Sequence, residues 1–316
     1  MAVGKRQVST RIVVVNTGET SVKLASFAVV DDGIVEIERM QRAIGPGQDV
    51  GNELRQSLDA LDAAPDVIGH RFVSAGPNFR DPVLLTTAVE QALKAAIPLA
   101  PVHNGAALRA IRTATARFPT AAHVIAFDTA FHASRPAVSM EYALPRILVE
   151  SFQFRRYGFH GFAHESLTNS LAETTQTARS DISAVTLQLG GGCSACAVQR
   201  GRSIETSMGY SPLEGLVMMN RSGSVDPAVV LRLVHEGLDV ADIERDLNRR
   251  SGLHGMTGLG DMCKILEAAD RGDARAASAI EVFCHRIVLT RDTSRHLLLR
   301  RREPWHRMDL HRSNAR

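Results

Sequence analysis

The chain has 316 residues, 44% of them hydrophobic and 22% charged, with a net charge of +3 at neutral pH. That is enough material for two domains with separate cores, and so small a charge gives no ground for a nucleic-acid partner. Residues 1–10 carry no apolar leader and no run approaches the roughly 18 apolar residues of a membrane span, so a cytoplasmic protein with no membrane partner is expected.

The first apolar run, Arg11 to Val15, stops at the polar turn Asn16-Thr17-Gly18-Glu19-Thr20-Ser21 and resumes from Val22 to Phe27. This pattern predicts a hairpin, and a turn of Asn, Gly, Thr and Ser can aim backbone N–H groups and hydroxyls at a phosphate. A short helix is expected over Leu54 to Leu61 and a strand over Val67 to Val73. On that strand His70 and Arg71 point to opposite faces, and Arg71 is the one expected to face a cleft. Thr86 to Ala96 has helical composition. A proline-set loop, Leu99 to Asn104, leads to a helix from about Gly105 to Arg117 with Asn104 as its N-cap. The strand Val124 to His132 places Asp128 near its C-terminal end, where ligands sit in parallel α/β sheets and where a carboxylate can organise Mg²⁺ or a reacting group.

After prolines at 136 and 145 comes Arg155-Arg156-Tyr157-Gly158-Phe159-His160-Gly161-Phe162-Ala163-His164. Guanidinium forks suit carboxylate and phosphate oxygens, imidazoles donate to developing negative charge, and glycines let backbone approach a ligand. His160 and His164 have the spacing of a helical zinc pair, but Gly161 stands where a zincin needs glutamate. A domain boundary is expected near residue 150.

The second half opens with a helix from Glu165 to about Thr177. A second strand, glycine turn and strand then follow, Ala184 to Leu189, Gly190-Gly191-Gly192 and Cys193 to Val198. Two such hairpins facing one another would grip a polyphosphate from both sides, although neither matches a Rossmann or Walker pattern. Cys193 and Cys196 read as strand residues on opposite faces, since no second cysteine pair completes a zinc site, and the four cysteines of the chain are too scattered for a disulfide framework. Ser203 to Ser211 is expected to loop. Arg221 lies shortly before a helix starting near Pro227, as at a helix-entry anion site. Further helices are expected at Val240 to Arg249 and Ala274 to Leu289, separated by a glycine-rich loop from Ser251 to Asp261. From Arg291 to Arg316 the composition shifts to eight arginines, no lysine and the lone Trp305, with no clear continuation of helix or strand.

These motifs, in order from about residue 11 to 290, resemble the acetate kinase family of the acetate and sugar kinase, heat-shock and actin superfamily. The marks are Val15-Asn16-Thr17-Gly18 to Lys23, Gly69-His70-Arg71, Leu99 to Asn104, Phe127 to His132, Arg155 to Gly161 and Leu253 to Asp261. The resemblance implies an α/β fold of the two-domain ribonuclease H-like type: residues 1–150, then 151–290 as a second, incomplete domain, then a non-family tail at 291–316. It implies reversible transfer of the terminal phosphoryl group of ATP to acetate, with Mg²⁺ and a homodimeric assembly. By position, Arg71 and Arg221 look like guanidinium clamps, Asp128 like the carboxylate organising metal and substrate, and His160 like the imidazole donor to the phosphoryl group. His103 looks like a supporting donor to the substrate, Asn16 a residue near Mg²⁺, and Ser21, Lys23, Gly190, Gly191 and Gly192 nucleotide contacts.

The chain departs from the family where Gln188-Leu189-Gly190-Gly191-Gly192 replaces His-Leu-Gly-Asn-Gly, where Glu19 replaces serine, where Met219 to Ser224 replaces Gly-Thr-Arg-x-Gly-Asp, and where Val73-Ser74-Ala75-Gly76 replaces Val-His-Gly-Gly. The family also continues into a strand and an adenosine loop where this chain has its arginine-rich tail, as in a truncated or frame-shifted product. Two rival readings follow: a catalytically inactive binding protein derived from such a kinase, and a kinase for propionate or another short carboxylate.

Overall fold

The computed structural model describes residues 10–18, 21–31, 33–45, 48–77 and 79–299. Contacts divide the chain into two compact units. The first draws on residues up to 133, 144–162 and 210–212; the second on 134–143, 163–209 and the chain from 213 onward. The expected boundary near residue 150 falls inside a segment of the first unit.

The first unit begins with an antiparallel meander, β1 (Thr10–Thr17), β2 (Ser21–Val30) and β3 (Gly33–Ala43). Val13, Val15, Val22 and Leu24 alternate inward, and the turn closes through Gly18 N–H donating to the Ser21 carbonyl at 2.8 Å. The third strand was not expected; its residues are mostly exposed, which hides the apolar alternation of a strand. Helix α1 (Val50–Asp59) starts earlier than composition suggests because Asp49 caps it, its carboxylate accepting from Gly51 N–H and Asn52 N–H.

Strand β4 (Val67–Phe72) runs parallel to β1, the two-residue β5 (Val83–Leu84) lies at the far edge, and α2 (Thr87–Ala95) is capped by Thr86. Helix α3 (Pro101–Arg117) begins four residues before the expected start, with proline at the first helical position where its missing N–H costs nothing. Asn104 is therefore not the cap. It is buried inside the helix, its Nδ2 donating to the carbonyls of Ser74 and Ala96 at 2.8 Å each. Strand β6 (Ala122–Phe127) completes the order β3-β2-β1-β4-β6-β5. It ends at Phe127, and Ala130–Ser134 is a 3₁₀ turn, not strand. Helices α1, α2 and α3 cover one sheet face through two clusters, one around Leu54, Leu58, Ile68 and Ala110, the other around Phe72, Leu93, Ile111 and Phe127. Helix α4 (Arg146–Phe152) and the start of α5 (Gly161–Thr174) follow.

The second unit holds a shorter meander, β7 (Ser183–Leu189), β8 (Cys193–Gln199) and β9 (Arg202–Thr206), in the order β7-β8-β9. Strand β9 lies in the stretch expected to loop: Ser203 and Thr206 face inward and pair with β8, so its polar composition conceals a buried edge. Helices α6 (Pro227–His235) and α7 (Val240–Arg249) match expectation. The glycine-rich stretch contains α8 (Gly252–Thr257), followed by α9 (Met262–Asp270), capped by Asp261. Helix α10 (Ala274–Leu299) extends ten residues past its expected end, and Arg291, Arg295 and Leu298 line a groove with Ser183, Ala184, Val185 and Leu187 of β7. The beginning of the arginine-rich stretch is thus helical. Residues 300–316 with Trp305, and Glu19 and Thr20, lie outside the described residues.

Candidate active site

Strand β4 settles the choice between His70 and Arg71. Ile68, His70 and Phe72 are buried beneath the helices, and Arg71 projects from the other face. The register sets Val15 opposite His70 and Asn16 opposite Lys23, so Asn16 stands between Arg71 and Lys23 across three adjacent strands. Arg71 Nη1 donates to Asn16 Oδ1 at 3.2 Å, and Arg71 Nη2 donates to Asp128 Oδ2 at 2.8 Å.

Asp128 follows directly on β6 and is only 2% exposed. A carboxylate so deeply buried needs partners for its charge. Besides Arg71 it accepts from the backbone N–H of His160 at 3.1 Å and of Phe162 at 3.5 Å, while its own carbonyl accepts from Gly161 N–H at 2.8 Å. Burial pushes the Asp128 carboxyl up, but the charges of Arg71 and His160 and the hydrogen bonds from both outweigh it and hold it below the usual carboxylate range. His160 has φ 59°, left-handed backbone that turns its N–H onto the carboxylate at a cost of roughly 1 kcal/mol or more. Gly161 permits this close approach, since a Cβ there would lie 2.2 Å from the Asp128 carbonyl oxygen. His132 Nε2–H donates to the Phe159 carbonyl at 2.9 Å, and Tyr157 packs against Tyr210 with ring centroids 6.1 Å apart, so the stretch around His160 is fixed from both sides.

Arg71, Asn16, Asp128 and His160 are thus brought together within the first unit. Lys23 and Ser21 stand on β2 of the same sheet, and His103 lies in the first turn of α3. Arg221 and the Gly190–Gly192 turn belong to the second unit. There Met219 N–H donates to the Gly191 carbonyl at 3.1 Å, tying the Arg221 loop to the glycine turn. Leu253 and His254 of α8 donate to the carbonyls of Met218 and Met219, and Gly252, with φ 64°, allows the approach because a Cβ there would lie 2.2 Å from the Met218 carbonyl oxygen. At the entry of α6, Asp226 caps the helix with its own carboxylate, which accepts from Ala228 N–H. Cys193 and Cys196 are free buried thiols, and burial pushes Cys196 up to about 12.

A family model for the acetokinase family matches residues 33–293. The chain belongs to the acetokinase family. It is 38% identical over 292 residues to an acetate kinase of Arthrobacter sp., an alignment covering 87% of this chain and 76% of that protein. It is 46% identical over 221 residues to an acetate kinase of a Synechococcus strain, covering 70% of this chain but only 55% of the relative, so it spans about half the length of that protein. Among solved structures, a propionate kinase from Francisella tularensis superposes with a TM-score of 0.80 at 33% identity, covering 91% of this chain and 80% of that one. A Porphyromonas gingivalis acetate kinase superposes with a TM-score of 0.78 at 28% identity, covering 92% and 80% respectively. The fold is accordingly the α/β, ribonuclease H-like one that the resemblance implied.

Several features of this acetokinase-family chain escape reading by sequence. His70 Nε2 lies 3.0 Å from His123 Nδ1 with the rings stacked, and His123 Nε2–H donates to the Phe118 carbonyl at 3.1 Å. His164 bridges Thr186 and Ser194 at 2.8 Å each, pinning α5 to β7 and β8, and is no zinc partner of His160. The Arg135 side chain is fully buried 3.7 Å from Glu205. The even-numbered alternation of β4 was the one available signal for the first; the others depend on contacts distant in sequence.

Proposed function

We propose that this chain is an acetokinase-type phosphotransferase, in which a carboxylate oxygen of acetate or a similarly short acid attacks the terminal phosphorus of ATP. The bond from that phosphorus to the ADP oxygen breaks as the acyl phosphate forms, and the reverse reaction returns the group to ADP. The observation that carries this reading is the buried Asp128 carboxylate, held unprotonated by Arg71 and by the backbone at His160, in a member of a family whose relatives are named as kinases of such acids.

The reaction sets two anions against each other, so its barrier falls mainly through charge neutralisation and alignment. Asp128 fixes the planar guanidinium of Arg71 by one edge, leaving the cation to orient carboxylate or phosphoryl oxygens. The His160 imidazole, carried on backbone tied to Asp128, donates to the transferring group. Arg221, the glycine turn, Ser21 and Lys23 contact nucleotide phosphates, and His103 supports the acceptor. The family uses ATP and typically Mg²⁺; the oxygens that would hold that ion here are the Asn16 carboxamide and the Asp128 carboxylate, and since both already accept from Arg71, the ion would be held chiefly through phosphates and water. When bound, Mg²⁺ neutralises charge on the phosphates.

The likeness to the Francisella propionate kinase favours testing propionate beside acetate. ADP release from ATP and Mg²⁺, followed with each acid in turn, tests the reading. Acid-dependent release supports it, whereas ATP binding with no release under either acid establishes a non-catalytic binding protein.

A further inference from the structure

A peptide group carries one acceptor and one donor, the carbonyl oxygen of one residue and the N–H of the next, held in a single plane. The group between Phe159 and His160 is gripped at both ends. Its carbonyl accepts from His132 Nε2–H at 2.9 Å, and its N–H donates to Asp128 Oδ2 at 3.1 Å. Both grips come from one short stretch of chain. Asp128 follows β6, and His132 lies in the 3₁₀ turn Ala130–Ser134, where its own N–H donates to the Thr129 carbonyl at 3.1 Å. His132 is 0% exposed, Phe159 1% and Asp128 2%. In so dry a setting an unmade hydrogen bond is costly, so imidazole, peptide and carboxylate hold one another in one arrangement.

The same plane carries the unusual backbone of the site. His160 has φ 59°, and Gly158, on the other side of Phe159, has φ 76°. Turning the plane over would exchange its two ends. A carbonyl oxygen would then meet the Asp128 carboxylate, and an N–H would meet the N–H of His132, so like poles would face each other at both ends. The bond from His132 to the carbonyl also polarises the peptide and strengthens the N–H bond to Asp128.

We propose that His132 is a positioning residue for phosphoryl transfer: acting through the Phe159–His160 peptide, it fixes the left-handed backbone that presents the His160 side chain and holds the Asp128 carboxylate beside Arg71. This rests on the phosphotransferase reading above and adds to it a residue to which the family resemblance gave no part.

The test compares the full-length wild type with His132→Leu and His132→Gln, measuring acyl phosphate as the hydroxamate with acetate and with propionate, and following the ¹H,¹⁵N signal of the His160 amide. Leucine removes the donor and keeps the bulk; glutamine carries a donor at nearly the reach of Nε2. His132→Leu is expected to lower kcat about tenfold to a hundredfold while KM for ATP stays within about twofold, and to move the His160 amide upfield as its bond to the carboxylate loosens. His132→Gln is expected to recover most of kcat and the wild-type amide position. A role in packing alone predicts the opposite order, because leucine fills an apolar space at less cost than glutamine. Where His132→Leu does not fold, His132→Asn takes its place, polar but too short to reach the Phe159 carbonyl. A leucine or asparagine variant with wild-type kcat, or a glutamine variant no more active than it, overturns the role of His132 and leaves the phosphotransferase reading standing. Wild type that forms no acyl phosphate with either acid overturns both.

Discussion

The stacked histidines behind the candidate site give the first unit a dependence on acidity that can be worked from the structure. His70 is 2% exposed, and burial followed by the neighbouring His123 lowers its pKa from 6.5 to about 3. Because the folded value lies below the unfolded one, the unfolded chain binds more protons between those limits, so stability is present above pH 6.5 and is lost as pH falls toward 3. At pH 5 the imbalance is about 1.5 pK units, a thirty-fold change in the folding equilibrium or roughly 2 kcal/mol. No arginine of the covering helix compensates: Arg109, Arg112 and Arg117 of α3 pair with Asp49, Glu90 and Asp59. His70→Gln keeps an N–H for His123 Nδ1 and removes the titration. Urea unfolding by circular dichroism at pH 7 and pH 5, with amide exchange of residues 67–72 and 122–127 to locate the opening, should show the wild type losing about 2 kcal/mol more than the variant. Equal losses in the two proteins would refute the argument.

Arg71→Met leaves Asp128 buried without its cation and should destabilise the first unit by about 3–5 kcal/mol, while Arg71→Met with Asp128→Asn should recover most of that loss in thermal unfolding without recovering turnover. Gly161→Ala forces a Cβ against the Asp128 carbonyl oxygen, 2.2 Å away in the unmoved backbone, and is expected to lower kcat by about a hundredfold, as a displacement of order 1 Å would, with a stability loss of only about 1–3 kcal/mol in urea. In the second unit Arg135 is fully buried and Glu205 partly exposed, so Glu205→Ala, which removes the carboxylate 3.7 Å from the buried cation, should cost more than Arg135→Met, by about 2 kcal/mol, in the same urea assay.

What could be read from sequence was whatever depends on neighbours along the chain. The alternation through Val13 and Val15 and the opposite facing of His70 and Arg71 follow from the two-residue period of a strand, and the glycine turns from their residues. Helix starts were legible where the start signal was recognised, as at Pro227, and misplaced where it was not, as at the Asp49 cap and at Pro101. Strand β9 and the outer strand β3 were missed because one hides polar residues indoors and the other shows apolar residues outdoors. The geometry at Asp128 was only half visible. Its place after β6 follows from the strand, but the left-handed turn at His160 that aims an N–H at its carboxylate depends on packing between residues more than thirty positions apart. The histidine pair and the buried Arg135 likewise arise only when distant segments meet.

The central claim is that the Arg71 and Asp128 pair serves acyl phosphate formation. Its most direct measurement is acetyl hydroxamate formed from ATP, Mg²⁺, acetate and hydroxylamine by wild type and by Asp128→Asn, both confirmed folded by circular dichroism. Acid-dependent product from the wild type, reduced at least a hundredfold in Asp128→Asn, is the predicted result. Equal product from the two proteins would contradict it.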